Sequence, residues 1–332
     1  MKKIETNQLS KETKTSLKVR LISAFVGLAI IIPFITLGDW FIAALIAAIS
    51  LISTYEIVRS INKKFSPSLY VVTIIISLLV TFWPLFRSMV TGTDDFVLQG
   101  WHLFKAFDVL YMSLLLIFIG VMLLFSLVVL HEWFDVRDAC YIFTMVIIVS
   151  LGLQSIIFIR SAPSNIHGGN DPNLNLFDNL EAMTLLVYVA IGTFFTDIGA
   201  YFIGMLFGKH KINERISPKK TYEGFVGGIV ISFLASATFA FIMSGAGHPI
   251  LDGYYDLSHW WNIVILSLLM PFVATLGDFI FSSIKRFYGI KDFGKIMPGH
   301  GGILDRLDSL TFTFFLAALF TCIITKNTGF FL

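Results

Sequence analysis

Asp278, Asp305 and Asp308 stand at the two ends of the segment GDFIFSSIKRFYGIKDFGKIMPGHGGILDRLD, within which Lys285, Arg286, Lys291, Lys295 and His300 alternate with glycines. Asp305 and Asp308 are three residues apart at the start of an apolar run, so on a helix they project from neighbouring positions of one face. Two carboxylates so placed can hold a hard divalent cation. Asp278 sits about 10 Å below the loop, at 1.5 Å per residue, and can converge on the same ion from a facing helix. The ligands on offer are oxygens without thiolates, which favours Mg²⁺ over Zn²⁺. The competing assignment is structural: Asp305 as a helix cap paired with Arg306.

Ser282 lies one turn beyond Asp278, and Lys285 follows three residues later, forming a polar stripe that leads out of the membrane and can guide a phosphate. Lys285, Arg286, Lys291 and Lys295 carry the charge that a triphosphate needs, and Gly289, Gly294, Gly299, Gly301 and Gly302 let backbone amides approach phosphate oxygens. A second phosphate-binding candidate is Ser217-Pro218-Lys219-Lys220-Thr221-Tyr222-Glu223-Gly224, with two hydroxyls and two lysines immediately before a helix start, capped by Thr221 or Ser217. Asp197 is a single acid within an apolar run, where a structural partnership with a Lys or Arg competes with a direct role. His167-Gly168-Gly169 repeats the tripeptide His300-Gly301-Gly302 without any constellation around it, so HGG alone carries no meaning. Acids, bases and glycines together point to a metal-assisted reaction on phosphates.

The elements that must position these groups are membrane helices. The chain has 332 residues, 56% hydrophobic and 14% charged, which is too apolar for a soluble domain. An Asp at mid-helix opposes membrane insertion by roughly 2.5 to 3.5 kcal/mol, so the intramembrane acids call for a function. Apolar runs of membrane-spanning length fall near 19–38, 40–58, 69–86, 108–130, 140–159, 182–207, 224–244, 260–284 and 303–325, and predict an all-α polytopic protein of nine spans. With the N-terminus cytoplasmic and the C-terminus outside, 20 of the 24 Lys and Arg residues fall on the inner side; only Arg87, Lys105, Arg160 and Lys326 do not.

Residues 1–18 read as a mobile cytoplasmic tail, and the first apolar run as an uncleaved helix. Spans one to five, over 19–180, show little internal charge and read as a membrane scaffold. Residues 181–332 form the catalytic half, with about four helices and cytoplasmic loops. Outer loops at 87–107 and 160–181 are expected to be irregular. Cys140 and Cys322 lie in predicted spans and are expected to pack there.

The run S-S-I-K-R-x₄-K-D-F-G-K-I-M-P-G-H-G-G-I-L-D-R-L-D, Ser282 to Asp308, resembles the signature of the bacterial phosphatidate cytidylyltransferases, or CDP-diglyceride synthases. The resemblance extends to T-D-I-G-A-Y-F-I-G from Thr196 to Gly204, F-G-K-H from Phe207 to His210 and S-P-K-K-T-Y-E-G from Ser217 to Gly224, and covers roughly 180–325. Ile198 and Met205 depart from it, standing where many relatives carry a small polar and a basic residue. The resemblance implies an integral inner-membrane enzyme that condenses CTP with phosphatidic acid to give CDP-diacylglycerol and pyrophosphate; the bias of Lys and Arg puts the polar loops, and so the expected site, on the cytoplasmic face. The resemblance also implies Mg²⁺, with a second cation left open, and a homodimer; no nucleic-acid partner is expected. The metal-binding acids of the family fall on Asp278 and Asp305, with Asp308 alongside. Its polar and basic motif residues fall on Ser282, Lys285, Arg286, Lys291, Asp292 and His300. Two rival readings are a CTP-dependent transferase or kinase on another lipid, and a cation transporter using Asp197 and Asp278.

Overall fold

The computed structural model describes residues 11–37, 39–83, 109–167, 177–299 and 301–326. Along the chain run α1 (Lys11–Leu37), α2 (Asp39–Ser60), α3 (Pro67–Thr81), α4 (Val109–Leu130), α5 (Val136–His167) and α6 (Phe177–Phe207). A hairpin of β1 (Lys211–Asn213) and β2 (Ser217–Thr221) follows, then α7 (Tyr222–Gly245), α8 (Trp260–Phe287), the one-turn α9 (Leu304–Leu307) and α10 (Leu310–Thr325). Among the described residues five helices are long and apolar enough to cross a membrane: Trp40–Ser60, Val136–Pro163, Glu181–Phe207, Tyr222–Gly245 and Trp260–Phe287. Shorter apolar helices occupy Phe25–Leu37, Pro67–Thr81, Ile117–Leu130 and Leu310–Thr325. An apolar chain with no water to satisfy its peptide groups must close its hydrogen bonds within each segment, and helices do so.

Four expectations are corrected. The fold is mostly helical, consistent with the expected all-α class, but Lys211 pairs with Thr221 and Asn213 with Ser217 in an antiparallel hairpin that replaces the expected loop. Residues 11–18 belong to α1 rather than to a mobile tail, and 1–10 lie outside the described residues. The outer loop expected at 160–181 is helical up to His167 and again from Phe177; the loop expected at 87–107 lies outside the described residues. Cys322 is buried as expected, but Cys140 is exposed.

Polar seams tie the helices together. Ser50 on α2, Ser77 on α3 and Ser150 on α5 form a buried chain, with Oγ···Oγ distances of 2.8 and 3.0 Å. Tyr188 on α6 bonds Ser267 on α8 at 2.8 Å, and the Ser232 hydroxyl on α7 donates to the Gly192 carbonyl on α6 at 2.6 Å. Such bonds fix helix register in a medium where apolar contact alone is unselective. Helices α6 and α7 pack with backbones nearly touching: a methyl added at Gly228 would lie 2.8 Å from the Thr196 carbonyl, and one at Gly227 would strike the Ile203 side chain. This close crossing lies beside Asp197, the residue after Thr196 on α6.

One core cluster draws on both sides of residue 180, since Ile57, Val58 and Ile142 are buried in the same body as Phe281, Phe293, Leu304 and Leu307. A second gathers α5 to α8 and α10 around Tyr188 and Tyr255. The scaffold helices therefore form part of the wall behind the glycine-rich loop.

Candidate active site

At one end of the bundle the α2–α3 turn, the start of α5, the hairpin and the α8–α9 loop meet. Ser60 bonds the Tyr141 hydroxyl at 2.7 Å, and the Tyr141 ring lies 4.5 Å from that of Tyr288 at the end of α8. Beside them Lys63 bridges Asp135 at 3.0 Å and Asp138 at 2.6 Å. The two carboxylates raise the pKa of Lys63 above its ordinary value, Asp138 contributing most.

The hairpin is closed and oriented from both sides. Thr221 caps α7, its Oγ1 accepting the Gly224 amide at 3.1 Å as the sequence suggested, and Glu223 takes the His210 ring nitrogen at 2.6 Å and the amides of Lys209 and His210. Arg286, at the end of α8, donates from Nε to the Ile216 carbonyl at 3.2 Å and from a terminal nitrogen to the Ile290 carbonyl at 3.4 Å. Arg286 thus straps the hairpin to the glycine-rich loop.

Lys220 projects from β2 onto α8, where its ammonium pairs with the Asp278 carboxylate and sits 4.3 Å above the Phe279 ring. Ser282 donates to the other Asp278 oxygen at 3.2 Å, so the predicted stripe on α8 exists as a bonded pair. Asp197 on α6, Asp278 on α8 and Asp308 between α9 and α10 lie within electrostatic range of one another, with Lys220, Lys285 and Arg306 as countercharges. The three carboxylates, contributed by separate segments, repel one another, and the three basic groups offset that repulsion.

Asp305 is engaged differently. It is 4% exposed, and Oδ1 accepts from Lys285 Nζ at 3.0 Å while Oδ2 accepts the amides of Phe293 at 2.8 Å and Gly302 at 2.9 Å. Its partner is Lys285, not the adjacent Arg306, which is exposed. Asp308 holds its own next residue, with Oδ1 accepting the Ser309 amide at 2.9 Å, and its Oδ2 lies 4.0 Å from Lys285 Nζ. Lys285 consequently stands between the two carboxylates and joins α8 to the foot of α10.

Of the loop residues, Lys291, Asp292 and Lys295 are exposed, as is Lys219, whereas Ser217 is half-buried; His300 lies outside the described residues. Gly301 has φ +90°, and a Cβ there would come within 2.9 Å of Asp305 Oδ2, so the turn requires glycine. Gly302 is buried and gives its amide to Asp305, which employs that donor within the fold.

The sequence reading passed over Glu56. It is the acid of α2's apolar stretch, 1% exposed, and accepts the amides of Ile303 at 3.2 Å and Leu304 at 2.8 Å. An isolated carboxylate inside a span is itself a signal, and applying it to α2 would have singled this residue out.

The model of the Cytidylyltransferase family matches residues 18–324. The chain is similar to a phosphatidate cytidylyltransferase of Bacillus subtilis, 41% identical over 143 residues that cover 42% of this chain and 49% of the relative. Over 296 residues it is 27% identical to a phosphatidate cytidylyltransferase of Staphylococcus haemolyticus, covering 89% of this chain and 95% of that one. A Staphylococcus aureus phosphatidate cytidylyltransferase matches at 36% over 132 residues, 40% of this chain and 46% of the relative. The family match runs through the scaffold helices as well as the glycine-rich loop, and the chain belongs to the cytidylyltransferase family.

Proposed function

We propose that this chain is a phosphatidate cytidylyltransferase, joining CTP to phosphatidic acid with release of pyrophosphate. The observation that carries the reading is the group of Asp197, Asp278 and Asp308 from separate segments, faced by Lys220 and Lys285 beneath an exposed basic loop. A phosphate oxygen of the lipid attacks the α-phosphorus of CTP, the bond from that phosphorus to the bridging oxygen breaks, and pyrophosphate leaves with the bond's electron pair. The nucleophile is already ionised, so no strong base is needed, and the difficulty is to bring two anions together.

Lys219, Lys291 and Lys295, all exposed, are suited to hold the triphosphate, with Asp292 and the Gly301–Gly302 turn in the glycine-rich segment, to whose sequence motif His300 also belongs. Ser282 and Ser217 offer hydroxyl donors, and Arg286 keeps hairpin and loop in register. Lys220 leaves Asp278 for phosphate when the substrates enter, exchanging one ion pair for another. Preorganised cations of this kind stabilise charge on the transferring and departing oxygens.

The donor set fits Mg²⁺. Asp278 and Asp308, with Asp197 close by, offer oxygen ligands, whereas Asp305 already serves Lys285 and two amides. Among the described residues no group of three or more His, Cys, Asp or Glu side chains is gathered tightly enough to hold an ion alone. Mg²⁺ characteristically uses one or two carboxylates and completes its shell with phosphate oxygens and water. When bound it would supply charge neutralisation on the phosphates.

The same reading assigns nine membrane crossings in a bacterial inner membrane, an N-terminus and a reactive end on the cytoplasmic side, a C-terminus outside and assembly as a homodimer. The inward bias of Lys and Arg supports the orientation. The deciding experiment is pyrophosphate release by the purified chain in detergent, given CTP and phosphatidic acid with and without Mg²⁺. Release is expected only with both substrates and the metal. Turnover with a lipid alcohol but not with phosphatidic acid would instead identify a CTP-dependent enzyme of another acceptor.

A further inference from the structure

Helix α9 has no cap of its own, because Ile303 at its N-cap position offers no side-chain acceptor. Three consecutive amides at its start are nevertheless satisfied, Gly302 by Asp305 and Ile303 and Leu304 by Glu56, which reaches in from α2 at a sequence separation of 248 residues from Leu304. The Glu56 carboxylate also packs directly on the backbone of Gly294 and Gly302, where a methyl at either position would collide with it. Asp305 ties Phe293 to Gly302 across the same loop. The two ends of the glycine-rich loop are thus clamped on a pair of buried carboxylates, one from each half of the chain. Among the described residues Glu56 forms no ion pair, so backbone amides are the groups it is bonded to.

We propose that Glu56 is a positioning residue for cytidylyl transfer, a cap supplied from the scaffold half that fixes the α8–α9 loop, and through it Asp305 and Asp308, relative to α8 and its Lys285. The inference rests on the cytidylyltransferase reading. It gives α2 a part in the chemistry, since shifting α2 against α8 would shift the loop.

The geometry makes an unusual ranking. Glu56→Gln preserves shape but turns one acceptor into an N–H donor facing an amide N–H. Glu56→Asp shortens the side chain but keeps both acceptors. A space-filling role ranks Gln above Asp, whereas a capping role ranks Asp above Gln. The experiment uses the full chain in lipid nanodiscs containing phosphatidic acid, with two readouts: steady-state pyrophosphate release, and hydrogen–deuterium exchange of peptides covering 293–305 and, as reference, 224–240. Glu56→Gln and Glu56→Ala are expected to lower kcat by about 10²-fold, the cost of a displaced reacting group. They should also speed exchange in 293–305 by about tenfold, while 224–240 stays unchanged. Glu56→Asp should fall between them and the parent.

The proposal is overturned if Gln retains more activity than Asp, if protection of 293–305 survives in Gln and Ala, or if exchange rises throughout the chain, which would make Glu56 a general stability residue. Local loss of protection with full activity overturns it as well. If the parent chain itself shows no turnover with phosphatidic acid, the functional assignment fails, and the exchange data alone still decide whether Glu56 caps the loop.

Discussion

Substitution of Lys285 by Met probes the centre of the site with a magnitude that follows from its geometry. Lys285 Nζ lies 3.0 Å from Asp305 Oδ1, with side-chain exposures of 11% and 2%. At that separation and an effective dielectric of about 20, the attraction is roughly 5 kcal/mol, much of it offset by the desolvation of both ions. Removing one partner restores neither hydration shell, and in buried pairs it costs about 3 to 5 kcal/mol. Asp305 keeps its two amide donors on Oδ2 in the variant, which places the expectation at the lower end, about 3 kcal/mol. Asp305→Asn can retain both amide bonds on one oxygen while losing the charge, so the Lys285→Met, Asp305→Asn double variant should be markedly less destabilised than the sum of the singles. The assay is SDS-titrated unfolding of the purified chain followed by the fluorescence of its 6 tryptophans. A loss under about 1 kcal/mol for Lys285→Met, or strict additivity in the double variant, would refute the buried ion pair as the clamp between α8 and the loop.

Asp278→Asn and Asp308→Asn should each cut pyrophosphate release by about 10²-fold or more while leaving insertion intact, and near-normal turnover in both would sink their assignment to the metal and phosphate site. Gly227→Ala should destabilise by about 1 to 3 kcal/mol, because the methyl lands on Ile203 across the tight α6–α7 crossing; Gly245→Ala, open to its surroundings, is the matched control in SDS titration. Thr221→Ala should cost about 1 kcal/mol through loss of the α7 cap, and Thr221→Ser much less, read in the same titration. Lys63→Ala should cost about 1 to 3 kcal/mol: its pair with exposed Asp135 is screened by solvent, but Asp138, with a side chain only 3% exposed, would lose its countercharge.

The reactive segment was legible in the sequence because ionisable groups and glycines are conspicuous in an apolar chain. The helix positions followed for the same reason, length and hydropathy being local properties. The hairpin at 211–221 was not legible, because the alternation of Lys211-Ile212-Asn213 is only three residues long and Ser217 to Thr221 shows none; the Glu223 and Arg286 contacts flank it on either side. The short interruption that divides the last predicted span into α9 and α10 at Asp308-Ser309, where the Asp308 carboxylate takes the Ser309 amide, is marked by no glycine or proline and was also not legible.

Residue types along the chain determined the membrane environment, the approximate helices, the family resemblance and the identity of the acids and bases, all of which are set by composition and spacing. Tertiary structure alone decided the partnerships. Lys285 chose Asp305 over any helix neighbour, Lys220 reached Asp278 across the hairpin, and Glu56 became the cap of a helix at the far end of the chain. Buried charges and amides must find partners wherever packing brings them, and that packing joins segments whose separation along the chain gives no sign of the contact.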